Sequence, residues 1–311
     1  CELTANAIGI VSEDVLVAST GVIGPSINIT PIEKGMSSLV SALSVDGHTD
    51  AAQAIMTTDT IKKEFAVQFT LGGTACNLGG MAKGSGMIAP NMATMLCFLT
   101  TDAAIDAALL KSALTEVVED TFNMMSVDGD TSTNDMVVLL ANGAAGNSVV
   151  NSQNQDYNIF KAALRELCTT ICRSLASDGE GATKLLECRV SGGASIKDAK
   201  LIAKSVINSS LLKAAMFGAD ANWGRVLCAI GYSGANVCIN GVRVIFRSSV
   251  GSVHVCENGA GIEFSEDDAK KVLNEKEILI DITLNDGNAS ATAWGCDLTY
   301  DYVRINGDYR S

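Results

Sequence analysis

The chain has 311 residues, of which 47% are hydrophobic, 18% charged and 5% aromatic, with only 3 prolines. That is enough apolar material for one large domain or two ordinary ones, and the profile is globular rather than disordered. Against 22 Lys and Arg stand 35 Asp and Glu, a formal net charge of −13, which argues against a nucleic-acid backbone or an anionic membrane as the main partner.

No apolar run approaches the roughly 18 residues of a membrane span. The ten cysteines lie singly, mostly in apolar runs such as Val226-Leu-Cys228-Ala-Ile and Asn236-Val-Cys238-Ile. Reduced, buried thiols in a cytoplasmic protein are the simplest reading. Cys168 and Cys172 fall four apart on an expected helix, but His48 and His254 are both remote from them in sequence, so no metal site is expected there. The start, Cys1-Glu-Leu-Thr-Ala-Asn-Ala-Ile-Gly-Ile, has no initiator methionine and no signal-peptide layout. It reads as the last turns of a helix already under way, and upstream residues are expected to precede it.

In chain order, strands and helices alternate, the pattern of an α/β protein. Asp14 to Ser19 reads as a short β-branched strand running into the turn Thr20-Gly21-Val-Ile-Gly24. Residues 31–44 carry Ile32, Met36, Leu39, Val40 and Leu43 at helical spacing, and a second helix covers about Thr49 to Ala54. Phe65, Val67 and Phe69 alternate in Lys63 to Thr70 as in a half-buried strand. The glycines of Leu71 to Gly80 suit a hairpin-like return. Lys83-Gly-Ser-Gly-Met-Ile-Ala-Pro-Asn-Met-Ala93-Thr94 then forms a loop, and a buried strand begins directly after Thr94.

Asp102 is the expected cap of a helix with Ile105, Leu109, Ala113, Val117 and Met124 on its apolar stripe. Asp128 to Asn134 crowd turn formers before a strand at Met136 to Leu140. They resemble a calcium loop only slightly, because no glutamate closes the run at the required spacing. A long helix is expected from Tyr157 to Ala176, a strand from Lys184 to Val190 and a helix from Ile196 to Val206. Beyond these, strands are expected at Val226 to Ile230, Val237 to Ile239, Val242 to Phe246, Glu277 to Leu284 and Ala289 to Tyr300. No linker or repeat separates these pieces, so any second domain is expected to pack closely on the first.

A serine-histidine-acid triad finds little support, since His48 lies in a turn and His254 in a strand, neither beside a nucleophile signature. Thr94 has two readings. It opens a buried strand, or it is a nucleophile whose own α-amine accepts the proton, which requires the chain to be cut directly before it. The glycines and proline ahead of small Ala93 permit the strained backbone such a cut needs.

Six separated runs carry a resemblance: Ala18 to Gly24, Met56 to Thr60, Gly79 to Leu96, Asp178 to Lys184, Phe217 to Arg225 and Gly295 to Asn306. In these runs and their order the chain resembles the ornithine acetyltransferase family, also called glutamate N-acetyltransferase, from about Val15 to Ser311. The resemblance implies an α/β fold with a layered αββα arrangement, similar to N-terminal-nucleophile hydrolases but differently connected. It further implies an arginine-biosynthesis enzyme that cleaves itself between Ala93 and Thr94. Residues 1–93 would be the C-terminal part of one subunit, whose upstream segment is missing here, and 94–311 the other. Two copies of each would assemble.

By the same resemblance Thr94 is the acetyl-accepting nucleophile, and Thr20 with the Gly21 amide forms the oxyanion hole. Thr57, Lys83, Thr94, Glu180, Asn306 and Ser311 match substrate-binding positions. Lys83 would meet a substrate carboxylate or keep the threonine amine neutral, and Glu180 would suit the ammonium of ornithine; taken alone, both also read as solvated loop charges. The substrates implied are N-acetylornithine and glutamate, with no cofactor and no metal, and acetyl-CoA is a second candidate donor. Gly307 stands where the family more often has alanine, which is expected to loosen the tail slightly. Two rivals remain at this stage: a hydrolase on a related self-cleaving fold, and an uncleaved relative in which Thr94 is merely structural.

Overall fold

The computed structural model describes residues 1–88 and 95–308. Its helices are α1 (Glu2–Ile8), α2 (Thr30–Ser41), α3 (His48–Ala54), α4 (Ala107–Asp120), α5 (Gln155–Ser177), α6 (Ile196–Asn208), α7 (Ser210–Phe217), α8 (Trp223–Gly231), α9 (Glu266–Leu273) and α10 (Tyr300–Asp308). Its strands are β1 (Lys63–Leu71), β2 (Thr74–Lys83), β3 (Leu96–Thr101), β4 (Met136–Ala141), β5 (Leu185–Gly193), β6 (Arg243–Ser248), β7 (Gly251–Glu257), β8 (Ala260–Gly261), β9 (Glu277–Thr283) and β10 (Ala289–Cys296). They form two sheets, a four-stranded β1-β2-β3-β4 and a six-stranded β10-β5-β9-β6-β7-β8. The architecture is thus the expected layered α/β one, two sheets flanked by helices.

In the first sheet β1 and β2 form an antiparallel hairpin whose turn, Gly72-Gly73, has φ of +54° and +87°, a conformation glycine adopts without steric cost. β3 pairs antiparallel with β2 and parallel with β4, and the parallel step requires the crossover that α4 supplies. In the second sheet β5 and β9 are the parallel pair, with antiparallel neighbours on either side.

α5 packs on β1 and β2 of the first sheet and on β5 and β10 of the second. Its buried residues Phe160, Leu164, Leu167, Ile171 and Leu175 recur every three or four positions, so one stripe faces the core along the whole helix. Each such side chain, fully buried, stabilises the fold by about 1.5–3 kcal/mol. Gly80 on β2 lets the helix come close: a β-carbon there would stand 2.6 Å from Leu99 Cδ2 and 3.0 Å from Ile171 Cδ1. Gly295 does the same for α6 on β10, where a β-carbon would stand 2.4 Å from Ile207 Cγ2. α9 covers β6 and β7.

Several expectations are corrected. Asp14 to Ser19 is no strand: a 3-10 turn at Ser12–Asp14 leads into irregular chain, with Leu16 and Val17 exposed and no ladder partner among the described residues. Asp102 does not cap α4. Asp106 does, its carboxylate accepting the Ala108 and Leu109 amides at 2.9 and 3.4 Å, while Asp102 holds the Asn77 backbone and side-chain amides at 2.6 and 2.7 Å. Val226 to Ile230 belongs to α8, begun by the Asn222 cap. Its buried residues Val226, Ala229 and Ile230 follow helical spacing, which leaves Cys228 exposed. Val237 to Ile239 is likewise no strand; a 3-10 turn covers Ile239–Gly241, and Cys238 is exposed. β10 ends at Cys296, after which the chain turns into α10.

The first 45 residues differ from the rest in packing: Ala5 and Met36 are buried, whereas many large apolar residues there, Val11, Ile23, Leu39 and Val45 among them, are exposed. No described helix is long and apolar enough to cross a membrane.

Gly192 tests the packing of the second sheet. Its φ is +75°, and a β-carbon on it would fall 2.0 Å from the Leu284 carbonyl oxygen, a backbone atom that cannot step aside. Gly192→Ala and Gly73→Ala both bear the cost of left-handed backbone, about 1–2 kcal/mol, but Gly73 lies in an open turn, so Gly192→Ala is expected to lower the unfolding free energy by clearly more than Gly73→Ala, measured by chemical denaturation.

Candidate active site

The site is framed by a charge buried in the protein. Lys63, the first residue of β1, has no exposed side-chain surface, and its ammonium lies 2.7 Å from Asp59 Oδ1 and 2.5 Å from Asp178 Oδ2. Both carboxylates also hold backbone. Asp59 accepts the Gly84 amide at 2.7 Å and the Thr57 amide at 3.2 Å; Asp178 accepts the amides of Thr60 and Ile61 at 3.0 and 3.3 Å and the Thr60 hydroxyl. Burial pushes the Asp59 carboxyl up, but the bond and charge of Lys63 and the two amides outweigh it and hold the group below its ordinary range. Three segments are thereby fixed to one another: the loop 57–62, the exit of β2 and the residues after α5.

On that frame a small pocket opens, lined by Thr20, Gly21, Thr57, Lys83, Glu180 and Asn306, with Thr58, Gly86, Met87 and Ser132 to Asn134 completing the wall. Lys83 ends β2 and is almost wholly buried, and no hydrogen bond joins its ammonium to another described residue. Burial is the main cause that lowers its pKa; of the charges around it, Asp59, Glu180 and Asp135 oppose the shift and Lys63 adds to it. Glu180 is also buried, its carboxylate accepting from Thr58 Oγ1 and from Asn306 Nδ2, both at 2.8 Å. Asn306 is brought in by α10, and the Glu180 amide is anchored on the Ser85 carbonyl at 2.8 Å. Gly86 makes room, since a β-carbon there would stand 2.4 Å from the Glu180 carboxyl carbon.

A second pair of aspartates holds the chain on either side of residues 89–94. Asp128 accepts the Met87 and Ile88 amides at 2.7 and 2.9 Å, and it is reached by the Tyr302 hydroxyl at 3.3 Å. Asp135 accepts the Met95 amide. The turn-rich run 128–134, read from sequence as only slightly like a calcium loop, and the adjoining Asp135 thus direct two carboxylates to backbone amides. Among the described residues no group of three or more carboxylate, thiol or imidazole ligands is assembled.

Six of the sequence-selected residues therefore meet in one pocket although they come from five separated stretches. Ala93, Thr94 and Ser311 lie outside the described residues. The resemblance pointed to none of Thr58, Asp59, Lys63, Asp128 or Asp135 as a working residue; Asp59 and Thr58 stood within a matched run, and the others had only their charge to mark them. Both histidines are remote from the pocket wall: His48 pairs with Glu64, and His254 lies 2.9 Å from Glu257 Oε2.

Comparison with known proteins shows the family. The profile of the ArgJ family matches residues 1–311. The arginine biosynthesis bifunctional protein ArgJ 1 of Clostridium acetobutylicum is 52% identical over 310 residues, covering 100% of this chain and 76% of that protein. The arginine biosynthesis bifunctional protein ArgJ of Symbiobacterium thermophilum is 51% identical over 309 residues, covering 99% and 76%. This chain thus spans about three quarters of the length of these relatives. A crystal structure of the arginine biosynthesis bifunctional protein argJ from Bacillus halodurans matches at a TM-score of 0.64 and 44% identity, covering 68% of this chain and 98% of that one.

The frame can be tested by removing its central charge. Lys63→Met leaves two carboxylates buried without their cation and is expected to cost about 3–5 kcal/mol of stability at neutral pH. In the wild type Asp59 titrates below its ordinary 3.8, so its contribution is full above that pH and is lost as pH falls through the lower folded-state value. In the variant, protonation relieves the buried charges instead. The gap between the two proteins, read from denaturation curves, should therefore narrow in acid.

Proposed function

Since the chain belongs to the ArgJ family, whose relatives are arginine-biosynthesis enzymes, we propose that it transfers an acetyl group from N-acetylornithine to glutamate through Thr94. The observation that carries this reading is the pocket itself. It holds a buried cation without a described partner, Lys83, and a buried carboxylate, Glu180, on one small cavity whose wall includes Met87, two residues before the 89–94 segment. An α-carboxylate and a side-chain ammonium are the complementary groups of a diamino acid.

In the proposed reaction the chain first cuts itself between Ala93 and Thr94: the Thr94 hydroxyl attacks the Ala93 carbonyl, the peptide C–N bond breaks to leave an ester on Oγ, and water hydrolyses that ester, so that Ala93 ends in a carboxylate and Thr94 becomes a new N-terminus with its hydroxyl restored. The solved Bacillus halodurans chain accords in size with such a piece: 98% of it corresponds to 68% of this chain, and residues 94–311 are 218 of the 311. Thr94 Oγ then attacks the acetyl carbonyl while its own α-amine, which titrates near neutrality, takes the hydroxyl proton. The negative charge on the carbonyl oxygen meets the Thr20 hydroxyl and the Gly21 amide; one such donor is worth about 2.7–4 kcal/mol in comparable acyl-transfer sites. The C–N bond breaks, the ammonium returns its proton to the departing amine, and ornithine leaves an acetyl-threonine ester behind. Glutamate repeats these steps in reverse as acceptor.

Glu180 would hold the ornithine ammonium and Lys83 the α-carboxylate, with Thr57, Asn306 and Ser311 completing the substrate contacts. Acetyl-CoA is a second candidate donor in the first half-reaction. Residues 1–93 and 94–311 would then be two subunits, present in two copies each, in the cytoplasm, where buried free thiols such as Cys168 and Cys172 stay reduced.

Thr94→Ala should remain a single polypeptide by intact mass and should neither consume N-acetylornithine nor form N-acetylglutamate. A cleaved and active Thr94→Ala protein would sink the assignment. Gly86→Ala drives its β-carbon into Glu180 and should raise KM for N-acetylornithine at least about tenfold, the equivalent of one charge-assisted hydrogen bond, while self-cleavage continues. Loss of N-acetylornithine matched by N-acetylglutamate gain distinguishes transfer from hydrolysis.

A further inference from the structure

Asp135 stands directly before β4 and beside the start of β3, because these two strands run parallel with Leu96 opposite Met136. One of its oxygens, Oδ1, accepts the Met95 amide. The other, Oδ2, is sealed from solvent and has no hydrogen-bond partner among the described residues. An unpaired buried carboxylate oxygen is costly, and a native fold retains one where it has work to do. Asp128, the matching clamp on the other flank, differs: Oδ1 accepts from Ile88 and Asp130, and Oδ2 from Met87 and the Tyr302 hydroxyl.

Burial pushes the Asp135 carboxyl up to about 7, against the downward pull of the Met95 amide and the Lys83 charge. Lys83 faces it from the end of β2, and Glu119 of α4 stands on the rim of the cavity that Asp135 lines. The other groups on that cavity, such as Asn123, Phe122 and Val137, carry no charge. Covalent geometry supplies the rest. The Met95 nitrogen is bonded to the carbonyl carbon of Thr94, so an α-amine on Thr94 lies within roughly 4 Å of the very amide that Asp135 holds, in any conformation of Thr94.

We propose that Asp135 is the positioning residue of the nucleophile: Oδ1 fixes the Met95 amide, and Oδ2 accepts a hydrogen bond from the α-amine that cleavage at Ala93–Thr94 frees. This rests on the reading of Thr94 as the nucleophile. The bond to Oδ2 leaves the amine lone pair directed to the hydroxyl of the same residue. When Oγ bonds to the acetyl carbon, its proton passes to the amine, and the resulting ammonium is stabilised by the Asp135 charge until it protonates the leaving amine. A neighbouring negative charge also raises the pKa of that amine.

The test compares wild type, Asp135→Asn and Asp128→Asn by intact mass and by the pH profile of kcat/KM for acetyl transfer from N-acetylornithine to glutamate. Asp135→Asn keeps an acceptor for Met95, so cleavage should persist. Its acid limb, which reports deprotonation of the amine, should shift to lower pH by about one unit or more, because the stabilising charge is gone. Asp128→Asn should leave that limb where the wild type has it. If Asp135→Asn does not fold, Asp135→Ser removes the same charge and should give the same shift. A wild type that is cleaved at Ala93–Thr94 but shares its acid limb with the charge-removed variant overturns this inference alone. A wild type that is active without cleavage overturns the nucleophile reading and this inference with it.

Discussion

The pocket depends on one buried cation. Lys63 holds Asp59 and Asp178, which lie far apart in the sequence, and each carboxylate passes the constraint on to backbone amides. A buried ion pair is seldom a net source of stability, since desolvating the charges costs about as much as their attraction returns. Its value here is register. The Thr57–Ile61 loop, the Gly84 amide after Lys83 and the chain leading to Glu180 can take up their positions only together. The pocket's cation, its carboxylate and its loop hydroxyls are all attached to that cluster.

The same low-dielectric surroundings give the pocket its chemistry. Lys83 and Glu180 are both buried, yet the two are paired differently: Glu180 is satisfied by Thr58 and Asn306, whereas Lys83 has no hydrogen-bond partner among the described residues. On the proposed reading, the carboxylate is pre-oriented for a substrate cation and the ammonium is left to meet a substrate anion.

Much of the fold was legible in the sequence where side-chain period and environment agree. The alternation of Phe65, Val67 and Phe69 marked β1, and the long helix expected from Tyr157 to Ala176 is α5, Gln155–Ser177. Legibility failed where a short apolar run permits both elements: Val226 to Ile230 has five residues, and only the Asn222 cap and the spacing of its buried positions decide for a helix. Asp102 was the expected cap of α4, but the strand pairing that brings Asn77 opposite Asp102 occupies its carboxylate, and Asp106, four residues on, caps the helix. Of the candidate site, Lys83, Glu180 and Asn306 were legible only through the order of their motifs, because nothing local distinguishes Lys83 and Glu180 from solvated loop charges. Asp59, Asp128 and Asp135 were not legible as clamps at all, since the amides they hold lie up to 41 residues away.

Those clamps also alter the meaning of the acidic composition. Asp59, Asp178, Asp128, Asp135 and Asp297 each accept backbone amides from irregular chain around the pocket; Asp297 does so from Thr183 and Lys184 at 2.8 and 3.0 Å. Loops packed this closely cannot satisfy their N–H groups with a strand ladder, and a carboxylate, with about four acceptor sites, serves two or more donors at once. Part of the net charge of −13 is therefore structural rather than a field presented to solvent. The charge read at first as evidence about partners is thus in part evidence about how those loops are held.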